Sequence, residues 1–413
     1  MLFNSIEFLL FFPAVVLLYY AIPGKLRVFW ILLTSYLFYM NWNPAYALLL
    51  LFSTAVTFLF GLLIGKRRTK EKAAAEAGRP IRQLSKVWVG VSFAVNLAIL
   101  FFYKYFDFTV DNLNVIRGWM GLAPVTPGFD VLLPVGISFY IFQALSYVVD
   151  VYRGDVRMET NFIKYAAFVS FFPQLVAGPI ERSTNLLTQF DTPHKLEYDN
   201  VRDGLLRMVW GFFLKIVIAD RAAILVNQVF NYCNYYEGPT VLIAAVLFAF
   251  QVYGDFAGYS NIAIGAAQVM GFKLMKNFER PYLAVSVSDF WRRWHISLST
   301  WFRDYLYIPL GGNRKGTVRK YINQMIVIPS PCRTRRQWTD GAQVHQPDDC
   351  HARVGLVARR GVELRHLGWH QWAVSGGGRY HEALPPPHPA ENRRAHEDAE
   401  LAHRAGADDV CAD

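Results

Sequence analysis

The sequence predicts an all-α fold: a polytopic transmembrane helical bundle with broken or re-entrant helices, followed by a C-terminal tail of non-native character. Two observations carry that prediction. Hydrophobic residues fill 53% and aromatic residues 16% of the 413 positions, and mean hydropathy is positive at +0.19. The residues are also unevenly spread. All 32 Phe lie at or before Phe302, the last Lys is Lys320, and eight of the ten His follow position 340. Residues 328–413 hold 11 Arg, no Lys and 12 acids, so two compositions join near Val327.

Taken in order, the apolar runs are Ile6–Ile22, Val28–Asn41, Ala45–Gly65, Val87–Phe106, Leu132–Val149, Phe162–Ala177, Leu205–Ile224, Val241–Tyr253 and Ile262–Leu274. A spanning helix needs roughly 17–25 such residues. Val28–Asn41 is short, as a tilted or re-entrant helix is, and the last two runs read as one broken element. Pro134 and Pro173 interrupt their runs; such breaks survive at membrane depth only where protein or a water-filled cavity surrounds them. The first run has no basic start and no small-residue cleavage site, so it reads as a retained span. Lys25 and Arg27 share a short loop, Lys66–Lys86 is the longest basic stretch of the body, and the turn from Asn41 to Pro44 is uncharged. Basic loops stay cytoplasmic, which places the N-terminus outside. Lys66–Lys86 reads as a surface loop or short helix, and Tyr19, Tyr20, Trp42, Tyr46, Trp88 and Tyr103 as an interfacial belt.

The body carries 31 basic against 20 acidic groups. Nucleic acid is set aside as a partner, because the charge sits in short clusters between apolar runs and not in one stripe. Those clusters suit the anionic lipid of a cytoplasmic leaflet. Only Cys233 of four Cys lies in the body, so no disulfide framework or CxxC metal site is available there. A GxSxG elbow, a Walker loop, a dinucleotide fingerprint and HExxH are all missing, and no metal site is expected.

Charged groups within apolar territory are costly and mark candidate sites. In Phe171–Arg182 a Pro- and Gly-broken helix ends in Glu181 and Arg182, either a site pair or a plain interfacial ion pair. In Tyr253–Asn261, Asp255 stands among apolar residues and glycines, either catalytic or a structural partner for an Arg elsewhere. The third segment, Asp289–Asn313, reads as a helix with Trp291, His295 and Ser299 on one face and Asp289 paired with Arg293 on another. A lone His among aromatics is ordinarily a packing residue. His295, however, is the only His in a segment that could enter the membrane. A neutral imidazole can take a proton from a sugar hydroxyl near pH 7. The adjacent Arg292 and Arg293 would depress its pKa, although lipid headgroup binding is their blander job.

These same residues resemble the membrane-bound O-acyltransferase family, in its alginate O-acetyltransferase branch. The similar stretches are Pro134–Gln143 (PVGISFYIFQ), Ser170–Arg182 (SFFPQLVAGPIER), Tyr253–Gly265 (YGDFAGYSNIAIG), Asn277–Ala284 (NFERPYLA) and Phe290–Arg314 (FWRRWHISLSTWFRDYLYIPLGGNR), spread over most of residues 1–327. The resemblance implies transfer of an acyl group, acetyl in this branch, from a cytoplasmic donor such as acetyl-CoA or another acyl thioester to a polysaccharide outside. It also implies a bacterial inner membrane with the N-terminus periplasmic, periplasmic acetyl-transfer proteins as partners, and no bound cofactor. By resemblance His295 is the first motif histidine of the reaction tunnel, which Asp255, Glu181 and Arg182 organise. A second, principal histidine stands in a Trp-His-Gly motif on a later span, and this chain has no such motif.

The tail after Val327 is rich in Arg, Pro, His, Asp and Ala without a period. It is either a disordered tail or a GC-rich gene read out of frame. Gly355–Arg360 can be encoded GGG-CTT-GTG-GCA-CGG-CGC, and one nucleotide later that string reads Gly-Leu-Trp-His-Gly-Ala. Permitted codons for Gly361–Trp369 continue it as Glu-Leu-Asn-Phe-Val-Ile-Trp-Gly. Synonymy frees mostly third bases, so adjacent hits are hard to obtain by chance. The expected division is therefore an incomplete O-acyltransferase body at 1–327 and a frameshift product at 328–413, with weak or no activity as written. The tail histidines fit no common zinc spacing. The rivals are a sister enzyme moving D-alanine to teichoic acid or acetyl to peptidoglycan or another glycan, and a non-enzymatic transport or scaffold subunit.

Overall fold

The computed structural model describes residues 1–78, 83–126 and 134–312, and every regular element among them is helical. Helix α1 (Ile6–Ala21) starts where the Ser5 hydroxyl accepts from Phe8 N–H, the usual role of a capping serine. Helix α2 is Gly24–Met40. Helix α3 (Pro44–Glu76) opens on Asn43, whose side chain accepts from Ala45 N–H, with Pro44 in the first turn where a missing donor costs nothing. Helix α4 is Leu84–Trp119 and α5 is Ile137–Arg153. Helices α6 (Phe162–Ser170) and α7 (Phe172–Leu175) lead to a π turn, Ser183–Leu187. Helix α8 (Tyr198–Phe212) continues through a π segment, Phe213–Ala219, into α9 (Asp220–Asn231). Helix α10 is Gly238–Val269, and α11 (Val287–Arg293) and α12 (Ile296–Phe302) are two short pieces. Among the described residues α3, α4 and α10 are long and apolar enough to cross a membrane, and α1 is a shorter apolar helix.

Large apolar side chains cover the outside as well as the core, and several polar ones are turned inward. Leu10, Leu17, Leu48, Phe101, Leu206 and Leu242 are exposed, while Ser53, Thr54, Thr57, Ser92 and Asn96 are buried. The buried groups bond to each other: Ser53 Oγ donates to Asn96 Oδ1 at 2.8 Å, and Tyr165 Oη donates to Thr57 Oγ1 at 2.8 Å. Hydrocarbon cannot satisfy a polar atom, so helices in lipid turn such atoms inward.

The expected break at Pro173 is present, between α6 and α7 at Phe171. Protein groups satisfy the freed backbone. Phe172 N–H donates to Ser35 Oγ at 3.1 Å, and Phe168 C=O accepts from Gln143 Nε2 at 2.7 Å. Three expectations are corrected. The runs Val241–Tyr253 and Ile262–Leu274 are not separated by a break, because α10 runs unbroken from the first into the second and ends at Val269. Its glycines serve close approach instead. A Cβ on Gly258 would meet Gly211 C=O at 2.9 Å, and one on Gly211 would meet Gly258 C=O at 2.7 Å. The start of Lys66–Lys86 is helical, one of the two readings, but as the end of the long α3, which runs on to Glu76, and not as a short helix of its own. Tyr19 is a core residue and not part of a belt: it is 2% exposed, with the Arg27 guanidinium 5.2 Å from its ring centre.

The α8–α10 approach gives a first prediction. Gly211→Leu would drive a side chain into the α10 backbone, which cannot yield as a flexible side chain would. Overpacking of this kind costs about 1–3 kcal/mol. The yield of monodisperse protein in detergent and the thermal midpoint should both fall, while Gly90→Leu, where a Cβ meets nothing within 4 Å, should leave both unchanged.

Candidate functional site

Residues 287–302 do not form the single helix expected from their spacing. Helix α11 ends at Arg293, Trp294 is extended (φ −101°, ψ 128°), and His295 adopts a left-handed conformation (φ 44°, ψ 54°) ahead of α12. The cause is a competing backbone pairing with the segment after α10. Glu279 N–H donates to Arg293 C=O at 2.9 Å, and Ile296 N–H donates to Asn277 C=O at 2.9 Å. The face shared by Trp291, His295 and Ser299 therefore does not exist. Ser299 Oγ turns back to Trp294 C=O at 3.4 Å. The Asp289–Arg293 pair is present at 3.0 Å.

Asn277 and Ser297, rather than Ser299, accompany His295. Its Nδ1 lies 3.0 Å from Asn277 Oδ1, which also accepts from Ser297 Oγ at 2.9 Å. Asn277 Nδ2 in turn donates to Ser260 Oγ on α10 at 3.1 Å. The His295 ring lies edge-on to Phe256 at 4.7 Å between centres and roughly parallel to Phe139 at 6.2 Å. His295 stands outside the spanning helices, and burial among these rings holds its imidazole below the usual range. The expected cause, Arg292 and Arg293, is corrected: desolvation alone disfavours the imidazolium.

A cavity of about 760 Å³ reaches Asn277 and Phe278. Arg292 and Arg293 line it with Arg207, Lys276 and Arg280, against only Glu279 and Asp289. Trp210 and Tyr253 supply apolar wall. The chamber therefore favours an anionic or strongly polar guest, and His295, which does not line it, connects to its wall through Asn277. Among the described residues no three or more His, Cys, Asp or Glu gather as a metal-ligand set.

Residues 155–328 match the model of the membrane-bound O-acyltransferase family. That stretch is a domain of this family. The chain is 43% identical to the probable alginate O-acetylase AlgI of Pseudomonas putida over 330 residues, 79% of this chain and 65% of that protein. It is 41% identical to the probable alginate O-acetylase AlgI of Pseudomonas aeruginosa, over 79% of this chain and 61% of that protein. The peptidoglycan O-acetyltransferase of Helicobacter pylori is 33% identical over 72% of this chain and 58% of its own length. The chain thus spans less than two thirds of the length of these relatives.

The remaining charged candidates take separate posts. Glu181 and Arg182 are not an ion pair with each other. Glu181 is fully buried and accepts from Asn185 Nδ2 at 2.7 Å and from Met275 N–H. Arg182 turns to Asp304 at 3.6 Å, to Thr300 Oγ1 at 3.3 Å and to the Tyr305 ring at 4.6 Å. Asp255 has a structural partner, as the plainer reading held, but it is Lys215, at 2.6 Å, and not an Arg. None of Glu181, Arg182 or Asp255 bonds to His295.

Reading the sequence missed Asn277, Ser297 and Asp150. Asp150 accepts from Ser183 Oγ at 2.5 Å and from Tyr305 Oη at 2.6 Å, tying α5 to the turns that hold Arg182. An acid just past the run Leu132–Val149 was the available signal for Asp150. Asn277 carries no charge and gave none by itself.

Glu181 lies in the connection after α7, outside the spanning helices, and burial pushes its carboxyl up to about 7. A carboxyl raised on folding stabilises the fold in its protonated form. That contribution is complete below the unfolded value near 4.5 and is lost as pH rises through about 7. The thermal midpoint should therefore fall between about pH 4.5 and 7 and level off above, and Glu181→Gln should flatten that slope. A slope unchanged in the variant would assign it elsewhere.

Proposed function

We propose that this chain is the body of a membrane O-acetyltransferase that passes acetyl groups across a bacterial inner membrane for O-acetylation of an exported polysaccharide, most directly alginate. The observation that carries this reading is the imidazole of His295 held by Asn277, a residue that also lines a cation-rich cavity, in a chain 41–43% identical to probable alginate O-acetylases. The donor is an acyl thioester such as acetyl-CoA, and periplasmic acetyl-transfer proteins complete delivery to the polymer. The first turn of α2, with Lys25 and Arg27, and the basic stretch from Lys66 face the cytoplasm, leaving the N-terminus periplasmic.

In an intact parent a later-span histidine acts as base on the acceptor hydroxyl. His295 holds substrate or the developing charge, Arg292 and Arg293 favour an anionic guest, and Asp255, Glu181, Arg182 and Ser299 keep the surrounding helices in place. Residues 328–413 lie outside the described residues. We read them as a frameshift product in which the lost histidine codon straddles Ala358 and Arg359. The family match ends at residue 328, which supports that boundary. One sequencing read across codons 320–370 checks it: a verified gene with an unbroken frame there would remove the frameshift reading.

With the frame restored, membranes given an acetyl donor should acetylate the exported polymer, whereas the chain as written should give roughly background levels. Acetyl appearing on peptidoglycan and not on alginate would move the assignment toward the Helicobacter pylori relative. Loss of polymer export with acetylation intact would favour a transport subunit.

A further inference from the structure

We infer that Asn277 is a positioning residue that fixes His295 as the tautomer protonated on Nδ1, leaving the Nε2 lone pair as the working atom of the site. The inference rests on the reading of His295 as a site residue, but its geometry is independent of any reaction. Which end of an Asn amide is oxygen is settled by its neighbours. Here the deciding neighbour is the backbone N–H of Ser297, 3.4 Å from the Asn277 atom that faces His295. A backbone N–H can only donate, so that atom is the amide oxygen. The opposite end, Nδ2, donates to Ser260 Oγ at 3.1 Å, as an NH2 group must.

An amide oxygen only accepts, so the ring nitrogen 3.0 Å from it must carry a proton. Because burial keeps the imidazole neutral, its single proton is on Nδ1 and Nε2 has none. Free neutral imidazoles in water favour the other tautomer, so the protein sets this one. Asn277 also holds the turn that presents the ring, because its carbonyl accepts from Ile296 N–H directly after the left-handed His295. An Nε2 with a lone pair accepts a hydrogen bond. It therefore suits the hydroxyl of an acceptor rather than the oxyanion of a thioester adduct, which needs donors.

The test is long-range ¹H–¹⁵N correlation on the chain labelled with [¹⁵N]histidine in detergent micelles. The His295 signals are identified by their loss in His295→Gln. The expected parent spectrum shows the Nδ1-protonated tautomer near neutral pH. Asn277→Leu should turn the ring to the Nε2-protonated form or a mixture, while Asn277→Asp, which keeps an acceptor, should retain the Nδ1 proton. An Nε2-protonated parent, or an unchanged tautomer in Asn277→Leu, overturns the proposal. Should Asn277→Leu not fold, the parent and Asn277→Asp spectra decide it alone. In frame-restored protein, Asn277→Asp should also move the pH dependence of acyl transfer upward, because a carboxylate beside Nδ1 favours the imidazolium. A purely structural role would leave that profile in place. Absence of all acyl transfer would count against the functional reading without touching the tautomer.

Discussion

His295→Ala in the frame-restored protein is expected to lower polymer acetylation by about 10²-fold, the scale of loss when a group that positions a reactant is removed. The expectation follows from the surroundings of the ring. It is neutral, walled by Phe139 and Phe256, and bonded at Nδ1 to Asn277, so alanine would remove the Nε2 acceptor and leave Asn277 Oδ1 to Ser297 alone. His194→Ala is the control. That histidine packs on Phe272 at 4.4 Å and is bonded to Gln189 C=O, away from the Asn277 cluster, and its loss should change acetylation less than about threefold, within ordinary surface effects. Both variants would be scored by acetyl content of the exported polymer, normalised to membrane protein. Full acetylation in His295→Ala would deny this imidazole any chemical part.

The second large effect is expected at Lys215. Its ammonium bridges Asp255 at 2.6 Å and Asp220 at 2.8 Å and lies 5.4 Å from the Tyr259 ring centre, on a π segment packed against α10. Removing one member of a largely buried pair leaves an uncompensated charge, which costs about 3 kcal/mol or more. Lys215→Met should therefore lower the thermal midpoint in detergent sharply. Lys215→Met with Asp255→Asn should recover much of the loss, because the stranded carboxylate is gone. A single variant as stable as the parent would show that water or lipid headgroups already screen Asp255, and would reopen its assignment to the site.

Glycine conformation is needed at one further position. Gly136 has φ +73° just before α5, and a Cβ there would meet Leu175 C=O at 2.3 Å. The chain from Pro134 can thus enter α5 directly against α7. Both stretches were prominent in the sequence, but nothing local said that they touch.

Composition alone determined the solvent of this protein. Apolar runs of spanning length, interrupted by Pro173, required helices whose freed backbone groups are satisfied by protein, and the α6–α7 break is of that kind. The ordered strings around Glu181, Asp255 and His295 were enough to place residues 155–328 in their family. Tertiary structure decided the pairings. Periodicity put Ser299 beside His295, yet two backbone hydrogen bonds to residues 277–279 outcompete the helical ladder at that point and turn the ring onto Asn277. Glu181 and Arg182 are adjacent in sequence, but burial of one and the reach of the other send them to Met275 and Asp304. Local spacing fixes which side chains share a helix face only while the helix continues. Where it stops, long-range hydrogen bonds choose the neighbours, and those are not written in any local pattern.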